Sequence, residues 1–213
     1  MLPKGAIPRF IAEARDILRT QHPDGAAGDD FTGVATDRHF SCLRQLILEA
    51  TAAGAEASVA MALHAPPYEG QRKLPLTVLN ACSDDVRAMQ QDLFGPVLPL
   101  VATESLDAAI AYVNDCPHPL ALYLFLDSGA QQRQVLQSAL AGGVSVNETL
   151  MHIAQHGLPN SCVGPSGMGH CHGRFGFDTM SKLEPVFRQS RINELRFFAP
   201  KYGACALACL NLR

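Results

Sequence analysis

The sequence has no run of lysine and arginine and no basic face, and its formal net charge is −3. Binding through phosphates needs clustered positive charge, so nucleic acid is not an expected partner. No apolar stretch approaches the roughly 20 residues that span a bilayer, so no membrane partner is expected. The opening residues Met1-Leu2-Pro3-Lys4 lead into a charged amphipathic segment, not into the apolar core of a signal peptide. No CxxC pair occurs among the seven cysteines, Cys42, Cys82, Cys116, Cys162, Cys171, Cys205 and Cys209. Their odd number and irregular spacing fit free thiols in a reducing compartment, and the expected location is the cytoplasm. Internal repeats and low-complexity tracts are also lacking.

What is present suits a globular α/β protein. An apolar share of 47% is enough for a real core. Ile7, Phe10, Ile11, Ala14, Ile17 and Leu18 recur at helical spacing and predict a helix over 7–18 with one buried stripe. Phe40, Leu43, Leu46, Ile47 and Ala50 predict a second, closed near Gly54. Ser58 to Leu63 and Leu76 to Leu79 read as short strands, and Asp84 to Gln91 as a short helix. Val97 to Val101 is strand-like, with Pro99 arguing against a central position. Ser105 caps a helix to about Asn114 that buries Leu106, Ala109, Ile110 and Val113. Leu120 to Leu126 is a strand, Ala130 to Leu140 a helix ended by Gly142-Gly143, and Val144 to Val146 a strand. This alternation predicts a parallel α/β layer.

From His152 to Gly176 the chain is rich in Gly, His, Ser and Pro, without a clean period. Long irregular segments of this kind are usually functional or disordered. The apolar end, Ala204 to Leu210, is suited to docking on another surface.

Three stretches carry chemical information. The first is Met89-Gln90-Gln91-Asp92-Leu93-Phe94-Gly95-Pro96-Val97, an acid beside an aromatic ring at a Gly-Pro turn. An acid accepts hydroxyl hydrogen bonds and a ring packs on a flat heterocycle, which suits a nucleoside; a loop with one core Phe is the plain alternative. The second is Gly142-Gly143-Val144-Ser145-Val146-Asn147-Glu148-Thr149, a strand and an Asn-led turn. The third is Gly164-Pro165-Ser166-Gly167-Met168-Gly169-His170, then His172-Gly173 and Gly176-Phe177-Asp178-Thr179-Met180-Ser181-Lys182. Its glycines permit tight turns and close approach, but the Gly-Lys-Ser/Thr of a P-loop is missing.

In this order and spacing the three stretches resemble the aldehyde dehydrogenase superfamily, over about residues 3 to 190. That family carries E-x-F-G-P-V, then G-G-V-x-V-N, then P-F-G-G followed by S-G-x-G. The phrases His152-Ile153-Ala154-Gln155 and Gly164 to Gly169 with His172-Gly173 are most like the coniferyl-aldehyde and class-3-like branches. The resemblance implies an α/β fold: a catalytic-domain-like parallel sheet with flanking helices and the N-terminal Rossmann domain absent. It implies three regions: the truncated α/β part at 1–150, the Gly-rich loop and return segment at 151–190, and a tail at 191–213.

The resemblance also implies a reaction. In the family a cysteine thiolate attacks the aldehyde, hydride passes to the nicotinamide of NAD or NADP, and a glutamate helps water release the acid. This chain is expected to start past the nucleophile. None of its cysteines sits in a Gly-Gln-x-Cys context, so no catalytic residue is assigned and the isolated chain is expected to be inactive. Asp92 matches the glutamate that holds the nicotinamide ribose, one methylene shorter, and Phe94 matches the ring beside the nicotinamide. Asn147 starts a loop bordering the substrate entrance. Asn160 takes the place of an aromatic that lines the aldehyde tunnel, and Ser161-Cys162 replaces a Gly-Gly pair, where side chains are expected to crowd the turn.

Two other readings remain open. One is a non-catalytic remnant that forms homo-oligomers or associates with full-length subunits through its apolar end, Leu195 to Leu210. The other is a metal module built from Cys162, His170, Cys171 and His172, with His152 and His156 nearby. Adjacent His-Cys-His side chains converge poorly on one tetrahedral ion, so no metal site is assigned.

Overall fold

The computed structural model describes residues 1–61 and 71–189, with the isolated positions 191, 203, 204 and 208. Most of the apolar end falls outside the described residues, as do Ala62 and Leu63 of one expected strand.

The first helix, α1 (Ile7–Gln21), has Pro8 at its second position, where the fixed φ suits a first turn. Ile7 is buried and Phe10, Ile11 and Leu18 pack partly beside it, against Val78 and Leu100. Ile17 is 55% exposed, so the buried stripe is narrower than the sequence pattern suggested. The second helix, α2 (Asp37–Ala52), is capped by Thr36, whose hydroxyl accepts from the His39 N–H at 3.2 Å. Its buried residues Phe40, Leu43, Leu46 and Ala50 form one face. They meet Leu79 and Val97 in the larger core cluster. Each fully buried leucine there contributes about 1.5–3 kcal/mol.

That core rests on a three-stranded sheet of β2 (Glu56–Val59), β3 (Thr77–Asn80) and β4 (Val97–Leu100), in the order β2-β3-β4. β2 runs antiparallel to β3, and β4 parallel to it. Pro99 lies opposite Leu79 on the edge strand, where the missing N–H interrupts no second ladder. The segment expected as a helix over 84–91 is a turn followed by the short α3 (Arg87–Gln90). At the other end β1 (Leu2–Pro3) pairs in parallel with β5 (Ala102–Thr103).

β6 (Ala121–Leu124) and β7 (Gly143–Val146) pair in parallel, joined through α5 (Gly129–Ser138). The parallel α/β reading therefore holds for this unit and for β3-β4. β4 does not extend to β6, so the layer is divided. α5 ends at Ser138, before Leu140, because Ala139 is already extended; Gly143 belongs to β7. Ser105 caps α4 (Leu106–Asp115), its hydroxyl accepting from the Ala108 N–H at 3.1 Å. The apolar face of α4 is not buried as expected. Leu106, Ala109, Ile110 and Val113 line a cavity of about 540 Å³ shared with β6 and α5, because no described element fills it.

The segment after Asn147 is more structured than its composition predicts. It holds α6 (Met151–Ala154), an antiparallel pair β8 (Asn160–Ser161) and β9 (His170–Cys171), and α7 (Gly173–Met180). α7 escaped the periodicity reading because its eight residues, two of them glycine, are too few for a helical period to stand out.

Candidate functional site

Asp92 and Phe94 stand on the turn between α3 and β4, above α2. The Phe94 backbone has φ 47°, a left-handed conformation that is strained for a bulky residue. Two neighbours hold it there. His39 Nε2 lies 3.2 Å from the Phe94 carbonyl oxygen. Gly95 lies directly on the buried Leu43 side chain, with no room for a Cβ. The result is a ring 84% exposed, two positions from the exposed Asp92 carboxylate. The turn thus presents a ring and an acid outward, two positions apart. The plain alternative, a core phenylalanine, does not describe this ring.

Asn147 follows β7 with φ 55°, a conformation asparagine tolerates better than most residues. Its amide is committed to the end of β6: Oδ1 accepts from the Leu126 N–H at 3.0 Å, and Nδ2 donates to the Leu126 carbonyl at 3.3 Å. Asn147 thus shapes the loop that follows it more than it offers a free amide to a ligand.

Asn160 lies in β8 opposite Cys171, and its Nδ2 reaches Cys171 Sγ at 3.3 Å. Sγ is also 3.4 Å from Nδ1 of His172. The replacement Ser161-Cys162 does not crowd the turn as expected. Ser161 pairs with His170 in the ladder, the Cys162 N–H donates to the Gly169 carbonyl, and neither residue has a positive φ. Gly142 fits between the backbones of Leu120 and Ser161, where a Cβ would sit 2.6 Å from the Leu120 carbonyl oxygen. This close approach seats β8 against the β6-β7 unit. The expected site residues therefore fall into two groups, each held by its own local partners: Asp92 with Phe94 over α2, and Asn147 and Asn160 around β6, β7 and β8.

Sequence reasoning missed one pair. Ser145 is buried, and its hydroxyl lies 2.9 Å from Nδ1 of the half-buried His152. The His152 ring covers Gly143 and tilts against Tyr123 at 5.9 Å. The alternation along β7 places Ser145 on the opposite face from Val144, but nothing in the pattern names a histidine seven positions on as its partner.

Among the described residues, no group of three or more His, Cys, Asp or Glu side chains is placed to hold a metal ion. Cys42, Cys82, Cys116, Cys162 and Cys171 are free thiols. Burial pushes the Cys82 thiol above its ordinary value. No described helix is long and apolar enough to cross a membrane.

The profile of the aldehyde dehydrogenase family matches residues 3–186. A probable coniferyl aldehyde dehydrogenase of Pseudomonas aeruginosa is 40% identical over 204 residues, covering 95% of this chain and 42% of the relative. A coniferyl aldehyde dehydrogenase of a Pseudomonas species is 33% identical, covering 100% of this chain and 44% of the relative. Staphylococcus aureus AldH, solved in a substrate-bound state, superposes with a TM-score of 0.79 at 28% identity, covering 99% of this chain and 45% of that one. The chain thus spans less than half the length of the curated relatives it matches. With the motif order, the α/β elements and the outward Phe94 turn in place, the chain belongs to the aldehyde dehydrogenase family.

Proposed function

We propose that this chain provides part of an NAD(P)-dependent oxidation of an aldehyde to a carboxylic acid, with an aromatic, coniferyl-like aldehyde as substrate. The observation that carries this reading is the Phe94 turn, a strained backbone held so that a ring and a nearby acid face outward. Similarity to coniferyl aldehyde dehydrogenases across 95% or more of the chain supports the substrate class. When bound, NAD(P) would supply the hydride acceptor. Asp92 would accept hydrogen bonds from the ribose hydroxyls, and Phe94 would pack beside the flat ring. Asn147 and Asn160 border the aldehyde's path.

On its own the 213-residue chain does not turn over aldehyde in this reading. Two of its described thiols, Cys42 and Cys82, pack against the larger core cluster, Cys42 with the Arg87 guanidinium at 3.9 Å and Cys82 with its pKa raised by burial. Residues 1–150 serve as the sheet-bearing region, 151–190 as the loop and return segment, and 191–213 as a tail.

A second reading has its own support. Phe94, Phe125, Phe177, Leu183 and Phe187 are each more than 60% exposed. Exposed apolar groups in this number favour association, either as a homo-oligomer or with full-length subunits.

A chimera tests the first reading. Residues 3–186 replace the matched segment of the Pseudomonas aeruginosa relative, and NADH and NADPH production is followed with coniferaldehyde and benzaldehyde. Turnover by the chimera and none by the isolated chain is the expected result. A folded but inactive chimera would leave the association reading. Turnover by the isolated chain would mean that one of its own thiols serves as nucleophile.

A further inference from the structure

The contacts around the Phe94 turn do different things. Gly95 against Leu43 fixes where the turn sits, since no Cβ fits between them. The Pro96 carbonyl, just before β4, accepts from the Thr77 N–H at 2.8 Å. On the other side Leu93 packs partly against the core cluster that holds Leu43 and Leu79. None of these contacts orients the Phe94 carbonyl. That oxygen is met by Nε2 of His39 at 3.2 Å, across 55 positions of chain. A carbonyl only accepts, so Nε2 carries the hydrogen.

The carbonyl governs the direction of the ring. A φ of 47° is unfavourable for phenylalanine, and negative φ is the relaxed state. A return to negative φ turns the side chain and the carbonyl together, and the free dihedrals of Gly95 absorb the change. The ring is 84% exposed, so packing of its own does not hold it. His39 makes a stiff arm for the task. It is the third residue of α2, in a first turn capped by Thr36, whose hydroxyl accepts from the His39 N–H at 3.2 Å. The next residue, Phe40, is buried in the core, and the imidazole itself is half-buried.

We infer that His39 is a positioning residue for the dinucleotide. It acts through the Phe94 carbonyl, and it sets dinucleotide affinity by keeping the Phe94 ring and the Asp92 carboxylate turned outward. The inference rests on the reading of the Phe94 turn as nicotinamide-facing. Its reach is local. Asn147 and Asn160 are held by partners of their own, Leu126 and Cys171, with no bond to α2 or to the Phe94 turn among them. Loss of the His39 bond therefore weakens the dinucleotide and spares the aldehyde.

Two measurements test this. In the 213-residue chain, amide exchange across positions 91–95 is followed by mass spectrometry. His39→Phe keeps a ring and loses the donor, and it is expected to speed exchange there about tenfold. His39→Gln keeps an amide donor for the same oxygen and is expected to stay within about threefold of wild type. In the chimera carrying residues 3–186, His39→Phe is expected to raise KM for NAD or NADP about tenfold and to leave KM for the aldehyde within about twofold, with His39→Gln restoring most of the loss. NADH binding, read by nicotinamide fluorescence, repeats the comparison without turnover. His39→Ala, which introduces no new ring, replaces His39→Phe should that variant fail to fold. Unchanged exchange across 91–95, equal rises in both KM values, or no recovery in His39→Gln would overturn the proposal. Phe94→Ala is measured alongside. A dinucleotide affinity lowered by Phe94→Ala but not by His39→Phe would sink the role of His39 alone. An affinity unchanged in Phe94→Ala would remove the nicotinamide-facing reading, and the proposal with it.

Discussion

The side-chain amide of Asn147 bonds both backbone polar groups of Leu126, at 3.0 Å and 3.3 Å, while the Asn147 N–H donates to the Leu124 carbonyl at 2.6 Å. The contact extends the β6-β7 ladder one step past its last pair and turns the chain away from the sheet. Asn147→Ala removes both amide bonds and leaves a Cβ residue at φ 55°. The expected loss is about 1–3 kcal/mol, measurable as a lower urea midpoint. Asn147→Gly keeps the backbone conformation and should lose less. Equal losses in the two variants would mean that the left-handed backbone contributes nothing.

The Ser145–His152 pair makes a second stability prediction. Ser145→Ala leaves the His152 Nδ1 without its partner at a half-buried site. The expected cost is about 1–2 kcal/mol. Gly143→Ala attacks the same contact from the other side, since its Cβ would sit 2.9 Å from His152 Nε2. If the pair acts as one unit, the double variant loses less than the two single losses added together, and a urea double-mutant cycle reads this directly.

Much of this architecture was legible before any coordinates. The Ser105 cap, the α2 core face and the edge position implied by Pro99 follow from local rules, because each depends on neighbours within one or two turns. Other features depend on what lies across the fold. The α4 face has the right spacing for burial, yet it borders a cavity, because burial needs a covering element as well as a pattern. The same limit applies to the site. Asp92, Phe94, Asn147 and Asn160 came from motif order, whereas the Asn160–Cys171 and Ser145–His152 contacts join residues 11 and 7 positions apart with no periodic signal between them.

Phe94 gives a contrasting prediction. With its ring 84% exposed, Phe94→Ala should change stability by no more than about 0.5 kcal/mol, as for an ordinary surface position. Phe94→Gly should stabilise slightly, because glycine accepts φ 47° without strain. Gly95→Ala, one position on, drives a methyl group into the buried Leu43 and should cost about 1–3 kcal/mol. Urea melts of the three variants side by side separate a ring kept for packing from one kept for display. A large loss in Phe94→Ala would put the ring in the core and remove the basis for a nicotinamide-facing turn.

Alkaline pH offers a test of the contact between α4 and the turn before α3. The Tyr112 hydroxyl donates to Asp84 Oδ1 at 2.7 Å. Partial burial first, and then this bond to a carboxylate, push the Tyr112 pKa above its ordinary value of 10.0. The folded state therefore holds the phenol proton more tightly than the unfolded chain does. Stability from this contact is fully present below pH 10.0, the ordinary tyrosine value. It is lost as the pH rises above that value, because the unfolded chain ionises first. Urea midpoints measured from pH 8 to pH 11 should fall at the alkaline end, by a smaller amount in Tyr112→Phe than in the wild type. Asp84→Asn keeps an acceptor but removes the charge, so it should also flatten the slope while leaving the midpoint at pH 8 nearly unchanged. Identical alkaline slopes in all three proteins would mean that Tyr112 ionises alike in the folded and unfolded chain, and that the Asp84 contact is too exposed to hold the proton.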